Sequence, residues 1–309
     1  MADAFTTTTA LSGQVLTAYQ RSAYLALRAG AVFDSVYTVK PGDVTSPGNP
    51  VKFTVWTDMA AATATLSETV DVDAVAVADS QITVTPAEKG NAVLVTIKIR
   101  TDSFLIGFDA DVAGLVSWNL TDSIDTLAAT GVDGAGTQMT VDDGPEGSLL
   151  VADVLTANKV RQMRALLASN NVMPFSGNKY MSLIHPNTAY DLKSETGDAA
   201  WLASAIRQNL PAIQNSSIGS FAGFEFAESS RCDINVDGGT TTEDVYTTNF
   251  FGAQAFAKAV SIEPHIVPGP VTDKLRRFMP LGWHAYLGHG EFRSAASYRM
   301  LSVSSIGAN

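Results

Sequence analysis

Phe104–Gly136 reads FLIGFDADVAGLVSWNLTDSIDTLAATGVDGAG, and its reading decides the fold. Val112, Leu115, Val116, Leu120, Ile124 and Leu127 recur three or four apart, which predicts a helix with one apolar face. Asp109 and Asp111 suit a helix start, where carboxylates meet the positive end of the dipole. Gly131, Gly134 and Gly136 read as its end, so the helix is expected over about 104–130. From Asp109 to Thr130 it would span about 33 Å, long for a globular helix.

Outward from that helix the period changes. Before it, Val51, Phe53 and Val55 alternate with Lys52, Thr54 and Trp56, the pattern of a half-buried strand. Val70 and Val72, then Val75 and Val77, then Ile82 and Val84 continue the alternation; a turn is expected at Pro86–Asn91 and a strand through Val93, Val95, Ile97 and Ile99. Between the first two strands lies DMAAATATLSET (58–69), small and polar enough for an exposed tip. The hairpin so formed covers about 44–73, and a ribbon of two strands is marginal in water unless something covers it. The first 35 residues read as an arm with helical spacing at Leu16, Tyr19, Ala23, Tyr24 and Leu27, ended by Gly30.

After the long helix, residues 131–150 are rich in Gly and Asp and read as a loop. Thr156 caps an expected helix carrying Val160, Met163, Leu166 and Leu167, and Tyr180–Ile184 reads as a buried strand broken by His185-Pro186. A helix through Tyr190 and Leu192 follows, then strands at Phe221–Ala227 and Val245–Phe251, which marks residues 150–257 as an α/β or α+β domain. Residues 258–309 return to strands at Ile262–Val267, Trp283–Leu287 and Tyr298–Val303, expected to complete the sheet begun by residues 70–100. The fold class is therefore α+β, with an arm over 1–35 and a ribbon-and-helix region over 36–149.

With 46% apolar and 17% charged residues, the 309-residue chain is neither disordered nor membrane-embedded. No run of 18 uncharged apolar residues occurs, and the N-terminus shows no secretory signal. One cysteine, Cys232, excludes an internal disulfide and a thiolate-rich zinc site, which suits synthesis in a reducing cytoplasm. Charge is uneven. Residues 1–150 carry 7 Lys+Arg against 18 Asp+Glu, whereas 258–309 carry 6 against 3. The one basic cluster is Lys274, Arg276 and Arg277, too little for a protein whose main activity is gripping nucleic acid. An acidic body with a basic end suits contact with further copies of itself.

Candidate chemistry is sparse. His185, Asp191 and nearby serines lack the strained G-x-S-x-G setting of a nucleophile, so His185 reads as structural. His284, His289 and Glu291 match no metal spacing. Asp233, Asn235, Asp237 and Gly238 match positions 1, 3, 5 and 6 of a calcium loop, with Asp244 at position 12. Strand-like flanks and the missing Glu at position 12 favour a solvated hairpin loop, leaving this a weak metal candidate. No cofactor fingerprint occurs, and no residue is assigned a catalytic role.

The whole order, with SETVDVDAVAVADSQITVTPAEKGNAV (67–93), DTLAATGVDGAG (125–136), MSLIHPNTAYDLKSETG (181–197), IGSFAGFEFAES (218–229) and FFGAQAFAKAV (250–260), resembles the major capsid protein of tailed double-stranded-DNA bacteriophages. The resemblance implies an N-arm, an extended hairpin (the E-loop), a peripheral domain with a long spine helix, and an α/β axial domain. It further implies self-assembly through hexamers and pentamers into an icosahedral shell that encloses DNA without reading its sequence. Portal, scaffold and decoration proteins would be the other partners, the virion the location, and the host cytoplasm the birthplace. About 40 residues precede the hairpin, which implies a separate scaffold protein or none, and Lys52 alone is no evidence for a subunit crosslink. Subunit contacts are expected at Met59 and Leu66 of the tip, and between Glu68, Asp71 and Asp73 and the Lys274, Arg276, Arg277 cluster of an adjacent copy. An encapsulin-type nanocompartment shell is the alternative; a calcium-binding or hydrolytic enzyme is the remote one.

Overall fold

The computed structural model describes residues 31–39, 50–57, 59–63, 65–66, 68–69, 71–72, 74–102, 108–175, 177–196, 217–270, 273–275 and 277–306. The expected arm helix at 16–27, the hairpin's first residues and the 104–107 start of the long helix lie outside them. In chain order the elements begin with β1 (Thr38–Val39), β2 (Val51–Trp56), β3 (Asp79–Val84), β4 (Ala87–Thr96), α1 (Ile97–Asp102), α2 (Phe108–Asp133) and β5 (Thr137–Thr140). Then come α3 (Ala157–Ser169), β6 (Tyr180–Ile184), α4 (Pro186–Ser194), β7 (Ser217–Phe221), β8 (Phe224–Glu228) and β9 (Ile234–Asn235). β10 (Val245–Phe251), β11 (Phe256–Pro268), β12 (Phe278–Glu291) and β13 (Ser297–Ser302) complete the chain.

Two compact units divide these elements. One gathers Asn91–Asn119 and Ile266–Trp283; the other gathers Ala29–Gly90, Leu120–His265 and His284–Asn309. Among the described residues three sheets occur: a four-stranded one ordered β1-β11-β12-β4, a larger one ordered β5-β13-β10-β6-β8-β7 with β9 on β10, and the β2-β3 ribbon.

In the smaller unit Asn119 accepts from Trp283 Nε1 at 2.8 Å and from Asn91 Nδ2 at 3.2 Å, and Val116 is buried. In the larger unit α3 and β6–β10 enclose the main core. β10 is buried at every position, as a central strand covered on both faces must be. Phe224, Phe226, Phe250, Phe251 and Phe256 are fully buried there, and Phe224 meets Phe250 edge-on at 4.9 Å. Each such ring contributes roughly 2–3 kcal/mol through removal from water. On α2, Ile124, Ala128 and Val132 bury one stripe.

The long helix is present, but it runs through Gly131 to Asp133 instead of stopping at the glycine. Tyr37 explains the difference. Its hydroxyl donates to Ala128 O at 2.7 Å, and a Cβ at position 131 would collide with that hydroxyl. A helix-interior glycine costs about 1 kcal/mol, and here it is the space through which Tyr37 reaches the helix. Leu115, expected on the buried face, is 52% exposed.

Other expectations need correction. Residues 74–78, read as strand, form none; the ladder begins at Asp79, opposite Trp56. Ile97 and Ile99 start α1, and the expected turn at Pro86–Asn91 lies mostly inside β4. The 131–150 loop contains β5, paired in parallel with β13 from Thr137↔Tyr298 to Thr140↔Leu301. Phe221–Ala227 is two strands around a turn at Ala222 and Gly223. Of the final strands, β11 and β12 join β4 as expected, but β13 enters the larger sheet between β5 and β10.

Candidate assembly surfaces

The ribbon is anchored at its base and bare beyond it. β2 and β3 pair antiparallel from Val51↔Val84 to Trp56↔Asp79, and the Thr57 N–H extends the ladder to Ala78 O at 2.9 Å. Val51, Phe53 and Val84 pack with Ala257 and Ala259, and Phe53 meets Phe292 edge-on at 5.7 Å. Past that base the described apolar side chains stand exposed: Trp56 is 68% exposed, Leu66 73% and Val75 65%. Met59, Glu68 and Asp71 are exposed as well, and Asp71 Oδ1 accepts a local bond from the Val72 N–H at 2.8 Å. Asp73 lies outside the described residues.

The basic candidates sit on a turn of the smaller unit. Lys274 is exposed, and Arg277 donates through Nε to Asp273 Oδ2 at 2.6 Å. That bond holds the Asp273 carboxyl below its usual range. Arg276 lies outside the described residues. Ribbon and turn belong to different compact units.

The other sequence candidates have separate structural tasks. His185 caps α4: its Nδ1 accepts the Asn187 N–H at 3.2 Å, and burial lowers its pKa. Asp191 accepts the Ser305 N–H at 3.0 Å and the Ser305 hydroxyl, tying the C-terminal segment to α4. His284 meets Glu88 at 2.9 Å, His289 meets Asp34 at 3.1 Å, and Glu291 accepts the Gly136 N–H at 2.9 Å, so the three face different partners. In the calcium-like loop Asn235 donates to Glu146 Oε1 at 2.7 Å, and Asp244 Oδ1 accepts the Asp237 N–H at 3.3 Å. Among the described residues no group of three potential ligands converges there or elsewhere.

Sequence reasoning missed the buried polar network around the end of α2. Asp34 accepts from Lys258 Nζ at 2.7 and 2.8 Å as well as from His289. Burial alone would raise its carboxyl, but bonds from His289 and Lys258 outweigh this and hold it below the usual range. Arg231 donates to Asp125 at 2.6 Å and to Asp122 at 2.5 Å, with Asp125 fully buried. At the last residue of α2, Asp133 Oδ1 accepts from Asn249 Nδ2 at 2.5 Å. Burial, aided by Asp233, pushes the Asp133 carboxyl up to about 7. An open cleft of about 630 Å³ borders these groups, lined by Asp122, Asp133, Arg231 and Asp233 among others. The sequence signal that was available is the invasion of a helix's last turns by aspartates, where the dipole disfavours them.

No family model matches the sequence, and no curated protein matches it. Solved structures do. A chain of the cyanophage Pam1 capsid asymmetric unit superposes with a TM-score of 0.76 at 13% identity, covering 99% of this chain and 100% of that one. A chain from the capsid of Ralstonia phage GP4 gives 0.75 at 12% identity, covering 96% and 97%. The capsid of a native GTA particle gives 0.65 at 12% identity, covering 97% and 100%. At such identities the likeness speaks for architecture alone. The chain has the fold of the tailed-phage capsid proteins, mixing helices and sheets from end to end as they do.

Proposed function

We propose that this chain is a major capsid protein, assembling through hexamers and pentamers into the icosahedral shell of a tailed bacteriophage. The observation that carries the reading is end-to-end coverage: 99% of this chain matches 100% of a capsid chain. The exposed ribbon supports it, since a bare apolar tip on a stable anchor is what a subunit needs to lap a neighbour. Individually weak contacts suffice because each copy makes several at once. In this reading Met59 and Leu66 pack on the next copy, while Glu68, Asp71 and Asp73 meet its Lys274, Arg276 and Arg277. The chain carries out no turnover chemistry and needs no cofactor. Host cytoplasm is where it is made, the virion is where it resides, and scaffold, portal and decoration proteins are its further partners.

Sedimentation of the purified full-length chain tests this reading. Assembly gives a fast, narrow boundary far above that of a 32.6 kDa monomer. A single slow monomer boundary under conditions that span salt and pH would count against it. Particles that copurify with a peptide-tagged protein cargo would instead indicate an encapsulin-type compartment.

A further inference from the structure

The chain has four histidines, and two of them meet on the four-stranded sheet. His185 and His289 are buried and committed to Asn187 and Asp34. His265 lies on β11 and His284 on β12, neighbouring strands, with Glu88 on β4 at the next position in the sheet. Strand alternation sends the pair outward. His265 is exposed, and His284, between the buried Trp283 and Ala285, keeps 31% of its side chain in solvent. Their ring centres are 5.8 Å apart with the planes at 86°. All three residues belong to the larger unit.

Hydrogen bonding decides which nitrogen each ring presents. His265 Nδ1 lies 2.8 Å from Glu263 O, and His284 Nε2 lies 2.9 Å from Glu88 Oε1. A carbonyl and a carboxylate only accept, so the neutral rings carry their protons on Nδ1 of His265 and Nε2 of His284. The lone pairs are left on His265 Nε2 and His284 Nδ1, and neither nitrogen has a partner among the described residues. Metal-binding histidines are held in this way, one nitrogen tied to a carbonyl or carboxylate and the other offered to the ion. The spacing suits one ion. A zinc about 2.1 Å from a ring nitrogen stands roughly 3.2 Å from the ring centre, so two rings at a tetrahedral angle lie about 5 Å apart. The 5.8 Å found here reaches that value through less than about 1 Å of side-chain rotation on a solvent-facing surface.

We propose that His265 and His284 form a two-histidine site for a divalent transition-metal ion, zinc by preference. Glu88 orients one imidazole and the Glu263 carbonyl the other. Imidazole nitrogens select such an ion over calcium or magnesium, which take oxygen ligands. No third protein ligand converges there among the described residues, so water fills the remaining positions. The ion clips β11 to β12 on the solvent side of the sheet and favours the folded chain, whether or not copies assemble. The site therefore goes beyond the capsid reading and does not depend on it.

Calorimetric titration of zinc chloride into the full chain, made without a histidine tag, tests the site. One zinc per chain should bind with an affinity on the order of micromolar, since two of the usual four protein ligands are present. His265→Gln and His284→Gln should each weaken binding at least about tenfold, and Glu88→Gln about tenfold through loss of its hold on the ring. Without zinc, each variant should melt within about 2 °C of the wild type, as substitutions on a solvent-facing surface do. Zinc at 100 times its dissociation constant should raise the wild-type melting temperature by about 5 °C and leave the double histidine variant unmoved. The native Cys232 is buried and offers no competing thiolate. Absence of saturable zinc binding, or binding that survives the double His265→Gln, His284→Gln substitution, overturns the site. Zinc displaced by a tenfold excess of calcium would make carboxylates the ligands, which also overturns it. Unchanged affinity in Glu88→Gln overturns the orienting role of that carboxylate.

Discussion

Replacing Asp133 with asparagine removes one charge from the buried end of the long helix and leaves its shape. In the wild type the carboxyl is raised from 3.8 to about 7, chiefly by burial. At about 1.4 kcal/mol per pH unit, that separates the protonated from the ionised folded state by roughly 4 kcal/mol. The sign follows from which state holds the proton. Below about pH 4 both folded and unfolded chains are protonated at this site, and it costs nothing. As pH rises toward 7 the unfolded chain loses its proton first, so stability falls, and above 7 the full penalty is present. The substituted amide would be neutral throughout, and its oxygen could still accept from Asn249. Calorimetric melting of the unassembled subunit from pH 4 to 9 should therefore show Asp133→Asn nearly level with wild type at pH 4. By pH 8 it should be about 5–10 °C more stable, at ~2 °C per kcal/mol for a chain of this size. A difference that does not change with pH, or a variant that melts lower at pH 8, would refute the reasoning.

Arg231→Ala should cost about 3 kcal/mol in chemical denaturation, because it strands the buried Asp125 carboxylate; adding Asp125→Asn should recover part of the loss. Deleting residues 60–65 at the ribbon tip should leave the subunit's melting temperature unchanged within about 2 °C and abolish sedimenting particles, since the tip's described residues are exposed. Calcium titrated into the full chain should not raise its melting temperature through Asp233, Asn235, Asp237 and Asp244; stabilisation approaching ~2.7 kcal/mol, lost in Asp233→Ala, would show a real site.

Periodicity made the long helix legible, because 26 residues hold enough turns to fix a period. It misjudged Gly131, whose reason for being there is Tyr37, 94 positions earlier in the chain. Val75 and Val77 alternate as strand residues do, yet without a paired segment alternation alone makes no ladder. Ile97 and Ile99 are too few to distinguish strand from helix, and their backbone turns into α1. β5 was hidden because its parallel partner β13 lies some 160 residues later, and its own TQMT carries no strand signal strong enough to stand out from glycines. The exposed ribbon tip could be read from its small residues. The polar network could not: Arg231 and Asp125 are 106 residues apart, and His289 and Asp34 are 255 apart. Only the folded chain brings such groups together, and burial then decides their charge.

The central claim is that copies of this chain close into a shell. Electron microscopy of the purified full-length protein tests it most directly. The account predicts hollow, closed particles of uniform size, with five-fold and six-fold rings resolved on averaging and each ribbon lying over a neighbouring copy. Dispersed single subunits, or particles in which the ribbons fold back on their own copy, would contradict it.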